Sequence, residues 1–367
     1  MMTSKERMLV ALRREKPDRL PITIHQWQGY HLREFMNGVD QLEAFQIVGL
    51  DASVSPWDVV RSAASANWIA ASEELGKDGN ETLRRHRIRT PDGDLTWITG
   101  ANDYTTYNTE HMLKSPADVE LFLKHWPNQH LDQARLAQWY DRVGDAGIVR
   151  GFVAHAAQPG VWQEFCELVG TQTAIYWAAD EPALVHHFLE EMTRRKVDYV
   201  HREMVGAKFD LIEHGGGAAS STVISPAMFD EFCVPYDRRV IAALHEHGFK
   251  VVYHTCGGMM AILDHIPQNG CDASETLSPP GVGGDIQPAD RVKVKQVLGS
   301  KVALIGGIDQ GRILTEGTPA KIRQHVRECY ETFGAGGGYI CSASDHFFHT
   351  PVENLKVLAQ AGRECVY

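Results

Sequence analysis

The chain has 367 residues, 43% of them hydrophobic, and carries a formal net charge of −11 with acidic and basic residues mixed along its length. That balance supports a sizeable core and excludes a nucleic-acid-binding basic stripe or a polybasic membrane anchor, leaving a small molecule or another protein as partner. The seven scattered cysteines do not form the framework of a secreted miniprotein, and no apolar run reaches the ~18 residues that a bilayer span requires.

The opening residues lack the apolar core and cleavage site of a signal peptide, which points to a cytoplasmic protein. Thr3 and Glu6 have capping-box spacing ahead of Met8, Leu9 and Leu12, so an opening helix is expected, ended by Pro17 and Pro21. A short apolar run from Ile22 to Ile24 follows, and then a polar-aromatic cluster of His25, Gln26, Trp27, Gln28 and Tyr30. This cluster suits a flat organic group, or else packs as a loop. Leu83 to Thr99 alternates around Pro91-Asp92-Gly93, the pattern of a hairpin that leaves the main fold.

From residue 148 the chain becomes regular, with apolar runs at Ile148–Val153, Phe209–Ile212, Val251–Tyr253, Cys271–Ala273, Val302–Ile305 and Tyr339–Cys341 separated by helical stretches. Such alternation builds a parallel sheet. Ser225-Pro226 opens a helix expected to run to Gly248, and Thr318-Pro319 opens another that stops near Gly334. No Gly-Ser linker divides the chain, so residues 1–367 are read as one domain. Because several runs end in residues capable of chemistry, a closed (β/α)8 TIM-type barrel with an N-terminal helical extension and a β-hairpin excursion is favoured over a doubly wound sheet.

The sharpest local signal is Val251-Val252-Tyr253-His254-Thr255-Cys256-Gly257-Gly258. Residues i and i+2 of a strand face the same way, so His254 and Cys256 can offer an imidazole and a thiolate to one ion, both donors that zinc accepts. Glu275 at the end of the next run and Cys341 at the end of the last extend the set to His254, Cys256, Glu275 and Cys341, although a lone terminal cysteine such as Cys341 is as readily a small buried hydrophobe. In Asp210-Leu211-Ile212-Glu213-His214-Gly215-Gly216-Gly217, Glu213 is a ligand, general base or substrate hook, or an ordinary rim acid paired with a cation; the glycines read as room for substrate. Asp309 and the pair Asp345-His346 are further rim candidates, as partners of ligands or as substrate contacts.

Ile224-Ser225-Pro226, Pro235-Tyr236, His254-Thr255-Cys256-Gly257, Gly306-Gly307-Ile308-Asp309, Gly337-Gly338-Tyr339-Ile340 and Thr350-Pro351-Val352-Glu353-Asn354 resemble the uroporphyrinogen decarboxylase superfamily. Within it, the chain looks most like the zinc-dependent methyltransferases that work with corrinoid proteins. The arginine-rich segment with which decarboxylases hold tetrapyrrole carboxylates corresponds here to Ile24–Tyr30, which has no arginine. The resemblance implies a zinc site at His254, Cys256, Glu275 and Cys341, with Asp345 or His346 as alternative last-strand donors because relatives place that ligand about four positions later. It further implies methyl transfer between a small methylated or methoxylated substrate, or a thiol, and the corrinoid (cobalamin) of a partner protein. Glu213 and Asp309 would then serve catalysis, and His25, Trp27, Tyr30, Asp58, Asp345 and His346 would contact substrate. The alternative is a decarboxylase of a smaller acid using Asp58 and Arg61, and a third reading is a non-catalytic barrel that carries a corrinoid.

Overall fold

The computed structural model describes every residue from Met1 to Tyr367. Eight strands form the central parallel sheet, here β1 (Ile22–Thr23), β2 (Ala52–Val54), β3 (Gly147–Phe152), β4 (Leu211–Gly215), β5 (Val251–His254), β6 (Ala273–Thr276), β7 (Ala303–Ile308) and β8 (Tyr339–Ala343). Their order around the barrel is β1-β8-β7-β6-β5-β4-β3-β2. The seam between β1 and β2 is tied by Asp51, whose backbone N–H donates to the Ile22 carbonyl at 2.9 Å while its carboxylate accepts from the Ile22 N–H at 2.9 Å. Arg7 and Arg19 neutralise that fully buried carboxylate at 2.9 and 3.0 Å, as an acid out of water requires.

The opening helix, α1 (Ser4–Leu12), starts with the expected capping box of Thr3 and Glu6. Its Met8, Ala11 and Leu12 join Ile148, Leu211, Val252, Ala273, Ala303, Ile305 and Ile340 in a small apolar cluster separate from the main core. These strand residues lie near the amino ends of β3 to β8, and α1 therefore plugs the amino end of the barrel. The main core lies between the strands' outer faces and the surrounding helices, as the two-layer arrangement of such barrels requires.

The expected hairpin is present as strands Glu81–Thr90 and Gly93–Ala101, but it belongs to a four-stranded antiparallel sheet completed by Ile69–Asp78 and Thr106–Glu110. The first added strand contains Ala-Ala-Ser-Glu-Glu-Leu, whose intrinsic preference is largely helical. Cross-strand pairing decides otherwise, with Glu73 on Arg85 at 2.9 Å and Glu74 on Arg84 at 3.2 Å. The helix expected from Ser225 is two helices, Pro226–Phe232 and Val234–Glu246, because Pro235 lacks the N–H that would continue the first and its ring crowds the preceding turn. No helix is long and apolar enough to cross a membrane.

Candidate active site

Side chains alternate along each strand, so the residues one step beyond the apolar plug also face the barrel axis. From β3 comes Arg150, two positions after Ile148; from β4 Glu213, two after Leu211; from β5 His254, two after Val252; and from β6 Glu275, two after Ala273. The strands' own geometry thus stacks a charged layer on an apolar one. His25, just past β1, joins from the side, and ligand atoms of His25, Glu213, His254 and Glu275 all lie within 4.8 Å of one another.

Arg150 organises the layer. Its guanidinium grips Glu275 with two hydrogen bonds, 3.1 and 2.7 Å, and reaches Glu213 at 2.6 Å. Burial opposes its charge, but the two carboxylates outweigh burial and raise its pKa above the usual arginine value. Burial likewise pushes the Glu275 carboxyl up, yet Arg150, His25 and His254 hold it well below the ordinary range. Glu275 also accepts from His254 Nδ1 at 3.1 Å and faces His25 Nδ1 at 3.7 Å. At His254 burial works against the imidazolium, but neighbouring Cys256 and the two glutamates overcome it and raise the pKa well above that of free histidine.

Above this layer lies a cavity of about 330 Å3 lined by His25, Gln26, Trp57, Phe152, His155, Glu213, His254, Cys256, Asp345 and His346, with Ala157, Gln158 and Pro159. The sequence-predicted His25, Glu213, His254, Cys256, Asp345 and His346 therefore meet at one mouth. Gln26 pairs with His346 Nε2, and burial lowers the His346 pKa to about 4, leaving a neutral ring at physiological pH. The glycines after Glu213 make room for protein rather than substrate: a Cβ on Gly217 would come 2.8 Å from Cys256 Sγ, and one on Gly215 would come 2.6 Å from the His254 carbonyl oxygen.

Other predicted residues lie elsewhere. Cys341 is fully buried on the outer face of β8, in the main core with Tyr339 and Cys329, whereas its neighbour Ile340 faces the axis. Burial raises its thiol well above the usual cysteine value, and its side chain packs in the core outside the cavity, away from His254 and Cys256. Asp309 caps the following turn, accepting from the Gly311 and Arg312 N–H groups at 3.0 and 2.8 Å, and does not line the cavity. Trp27 is buried against His31, Phe45 and Phe347, while Tyr30 packs on Tyr104, Phe348 and His349 outside it. Asp58 is bound by Arg135 at 2.8 Å and Trp139 Nε1 at 2.9 Å, and Arg61 by Asp132 at 3.5 Å; both face away from the cavity. The residues missed from sequence are Arg150 and the cavity-lining His155 and Phe152. For Arg150 a signal existed, a lone arginine inside an otherwise apolar strand, where an unpaired charge is not stable.

The residues fit a divalent metal. His25 Nδ1 is buried without a hydrogen-bond partner; and Glu275, already held by Arg150, is placed to orient His254 through Nδ1, the usual outer carboxylate of a histidine ligand. His25, Glu213, His254 and Glu275 bring nitrogen and oxygen donors within 4.8 Å of one another, and Cys256 lines the same cavity with a thiol, donor types that zinc accepts.

A closed parallel barrel with polar side chains gathered at the carboxyl ends of its strands is the architecture of a barrel enzyme. The uroporphyrinogen decarboxylase (URO-D) family matches residues 154–365, more than half of the chain, and the chain belongs to that family. It is 26% identical over 201 residues to a methylated-thiol–coenzyme M methyltransferase of Methanosarcina mazei, covering 54% of this chain and 49% of the relative. It is also 29% identical over 192 residues to a uroporphyrinogen decarboxylase of Psychromonas ingrahamii, covering 50% and 49%. The chain thus spans about half the length of these relatives. A Xanthomonas campestris uroporphyrinogen decarboxylase matches over 92% of the chain and 90% of its own length at 23% identity. Among solved structures, a methyltransferase from Methanosarcina mazei superposes with a TM-score of 0.65 over 99% of both chains at 18% identity, a likeness of fold.

Proposed function

We propose that this protein is a zinc-dependent methyltransferase that moves a methyl group between a small methylated or methoxylated compound, or a thiol, and a corrinoid protein docked at the barrel mouth. The observation that carries the reading is the convergence of His254 and Cys256 on the cavity, with Glu275 on His254 Nδ1 and Glu213 beside it. Zinc held there by His254 and Cys256, with His25 beside them, would supply Lewis acidity toward a sulfur or oxygen donor at neutral pH. Glu275 keeps the His254 imidazole oriented, Arg150 fixes both glutamates, and Glu213, whose second oxygen is not engaged by Arg150, is the group placed to take or return a proton at the substrate heteroatom.

The decarboxylase alternative draws on the sequence relatives of that name. It needs cations to hold substrate carboxylates, and the cavity wall carries no lysine or arginine, only the acids Glu213 and Asp345; Asp58 and Arg61, which would have contacted the acid, point elsewhere. The test is elemental analysis of the purified protein with the variants Cys256→Ala and His254→Ala. The expected result is about one zinc per chain, lost in both variants along with corrinoid-dependent methyl transfer. Wild-type protein that carries no zinc after growth in zinc-replete medium would overturn the reading.

A further inference from the structure

One wall of the cavity is built of aromatic side chains. Trp57 lies on Phe152 with ring centroids 4.7 Å apart and planes 19° from parallel, and yet Trp57 remains 60% exposed. One face of its indole is covered by Phe152, and the side chain lines the cavity. A single exposed hydrophobe is ordinary on a protein surface, but this one is stacked on a second ring and lines the cavity.

The position of this indole is fixed from outside. The next residue, Asp58, is anchored by Arg135 and by Trp139 Nε1, at 2.8 and 2.9 Å. Beyond it, Val60–Ser62 pairs with Gln129–Leu131 in a two-stranded antiparallel sheet. The Gln129 side chain in turn holds His155, donating to its carbonyl at 2.9 Å and accepting from its N–H at 3.1 Å. Phe152 contacts both Trp57 and His155, its ring centroid 4.7 Å from that of Trp57 and 6.0 Å from that of His155. The His155 Nδ1–H donates to the Val153 carbonyl at 2.8 Å, which leaves Nε2 as a bare acceptor. Burial together with the charge of Lys196 lowers the His155 pKa, which keeps the ring neutral.

We infer that the cavity takes a flat aromatic ring without an anionic group, stacked on Trp57, and that Trp57 sets this preference. The stacked pair supplies the platform, and a cavity of about 330 Å3 is of the size that holds one small ring. The charge at the wall decides the rest: Glu213 and Asp345 face the cavity, Arg150 behind it is consumed by two glutamates, and His254 Nδ1 is engaged by Glu275. A carboxylated ring would bring a further anion to this wall with no partner for it. The inference rests on the proposed methyl transfer only for the nature of the group carried by the ring.

Binding to the purified full-length protein tests it, by calorimetry with three probes: 1,2-dimethoxybenzene, 3,4-dimethoxybenzoate and methoxycyclohexane. The neutral arene is expected to bind at least tenfold more tightly than either other probe. Trp57→Ala should weaken arene binding about tenfold, and Trp57→Phe, which keeps a stacking face, should restore most of it. Equal binding of the arene and methoxycyclohexane, tighter binding of the benzoate, no binding of the arene, or an unchanged affinity in Trp57→Ala overturns the inference. Zinc content measured on the same preparations separates the two claims. Zinc without ring selectivity removes this inference alone, whereas ring selectivity without zinc removes the methyltransferase reading and leaves the ring site standing.

Discussion

At the scale of single residues, the site turns on which face of a strand a side chain occupies. Cys341 and Ile340 are neighbours, yet one lies against Tyr339 and Cys329 in the outer core and the other in the axial plug. Cys341→Ala is therefore expected to keep its full metal content and to lose about 1 kcal/mol of stability, typical of trimming a buried side chain; parallel metal analysis and denaturant melts check it, and loss of the metal would return Cys341 to the ligand set. Arg150 is the reverse case, a residue that binds nothing from outside and yet decides the charge of the layer. Arg150→Gln leaves Glu213 and Glu275 as buried anions without their counterion, which costs about 3–5 kcal/mol. Zinc should recover part of that loss, seen as a larger zinc-induced rise in Tm for the variant than for the wild type.

The legibility of the sequence followed the same rule. His254 and Cys256 could be paired from sequence because i and i+2 share a face and the run around them is short. For Cys341 the flanking Tyr339 and Ile340 are both apolar, since both faces of a parallel strand are buried, and an all-apolar run does not reveal which face is which. Asp58, expected to contact substrate, instead latches the loop outside, while its neighbour Trp57 lines the cavity.

At the scale of elements, strand starts are fixed by side chains that reach across to the neighbouring strand. The Asp272 carboxylate accepts from the Val251 N–H at 2.9 Å, from Lys250 Nζ at 2.6 Å and from His245 Nε2 at 2.8 Å, joining the start of β5 to the approach to β6. The strand itself runs from Ala273, where the apolar run in the sequence starts at Cys271. Burial raises the Asp272 pKa, but Lys250, the Val251 N–H and His245 prevail and lower it. A depressed folded-state pKa contributes stability above the unfolded carboxylate value near ~3.9 that is lost as pH falls through the folded value. Asp272→Asn should thus be less stable than wild type by about 1–2 kcal/mol at pH 7, with the gap closing below about pH 4; urea melts across that range check it, and a gap that persists at low pH would contradict it. The four-stranded outer sheet was half legible, because Pro91-Asp92-Gly93 announces its central turn while Ile69–Asp78 reads as helix until its partner strand is known.

Across the whole molecule, the barrel interior is stratified: an apolar floor, then a layer in which one arginine balances two glutamates, then an open cavity. Fold and location of the site were accessible from the alternation of runs and the residues at their ends. The balance inside the layer was not, because it depends on Arg150, Glu213 and Glu275 meeting from three strands that are far apart in sequence.

The plug formed by Met8, Ala11 and Leu12 has one more consequence. It closes the amino end of the barrel, so under the proposed methyl transfer a small reactant and a docked corrinoid protein would share the mouth at the carboxyl ends of the strands. A partner seated there would lock in whatever already occupied the chamber, the small molecule would have to enter first and the partner leave first, and an excess of the partner would slow turnover by closing the door on an empty room.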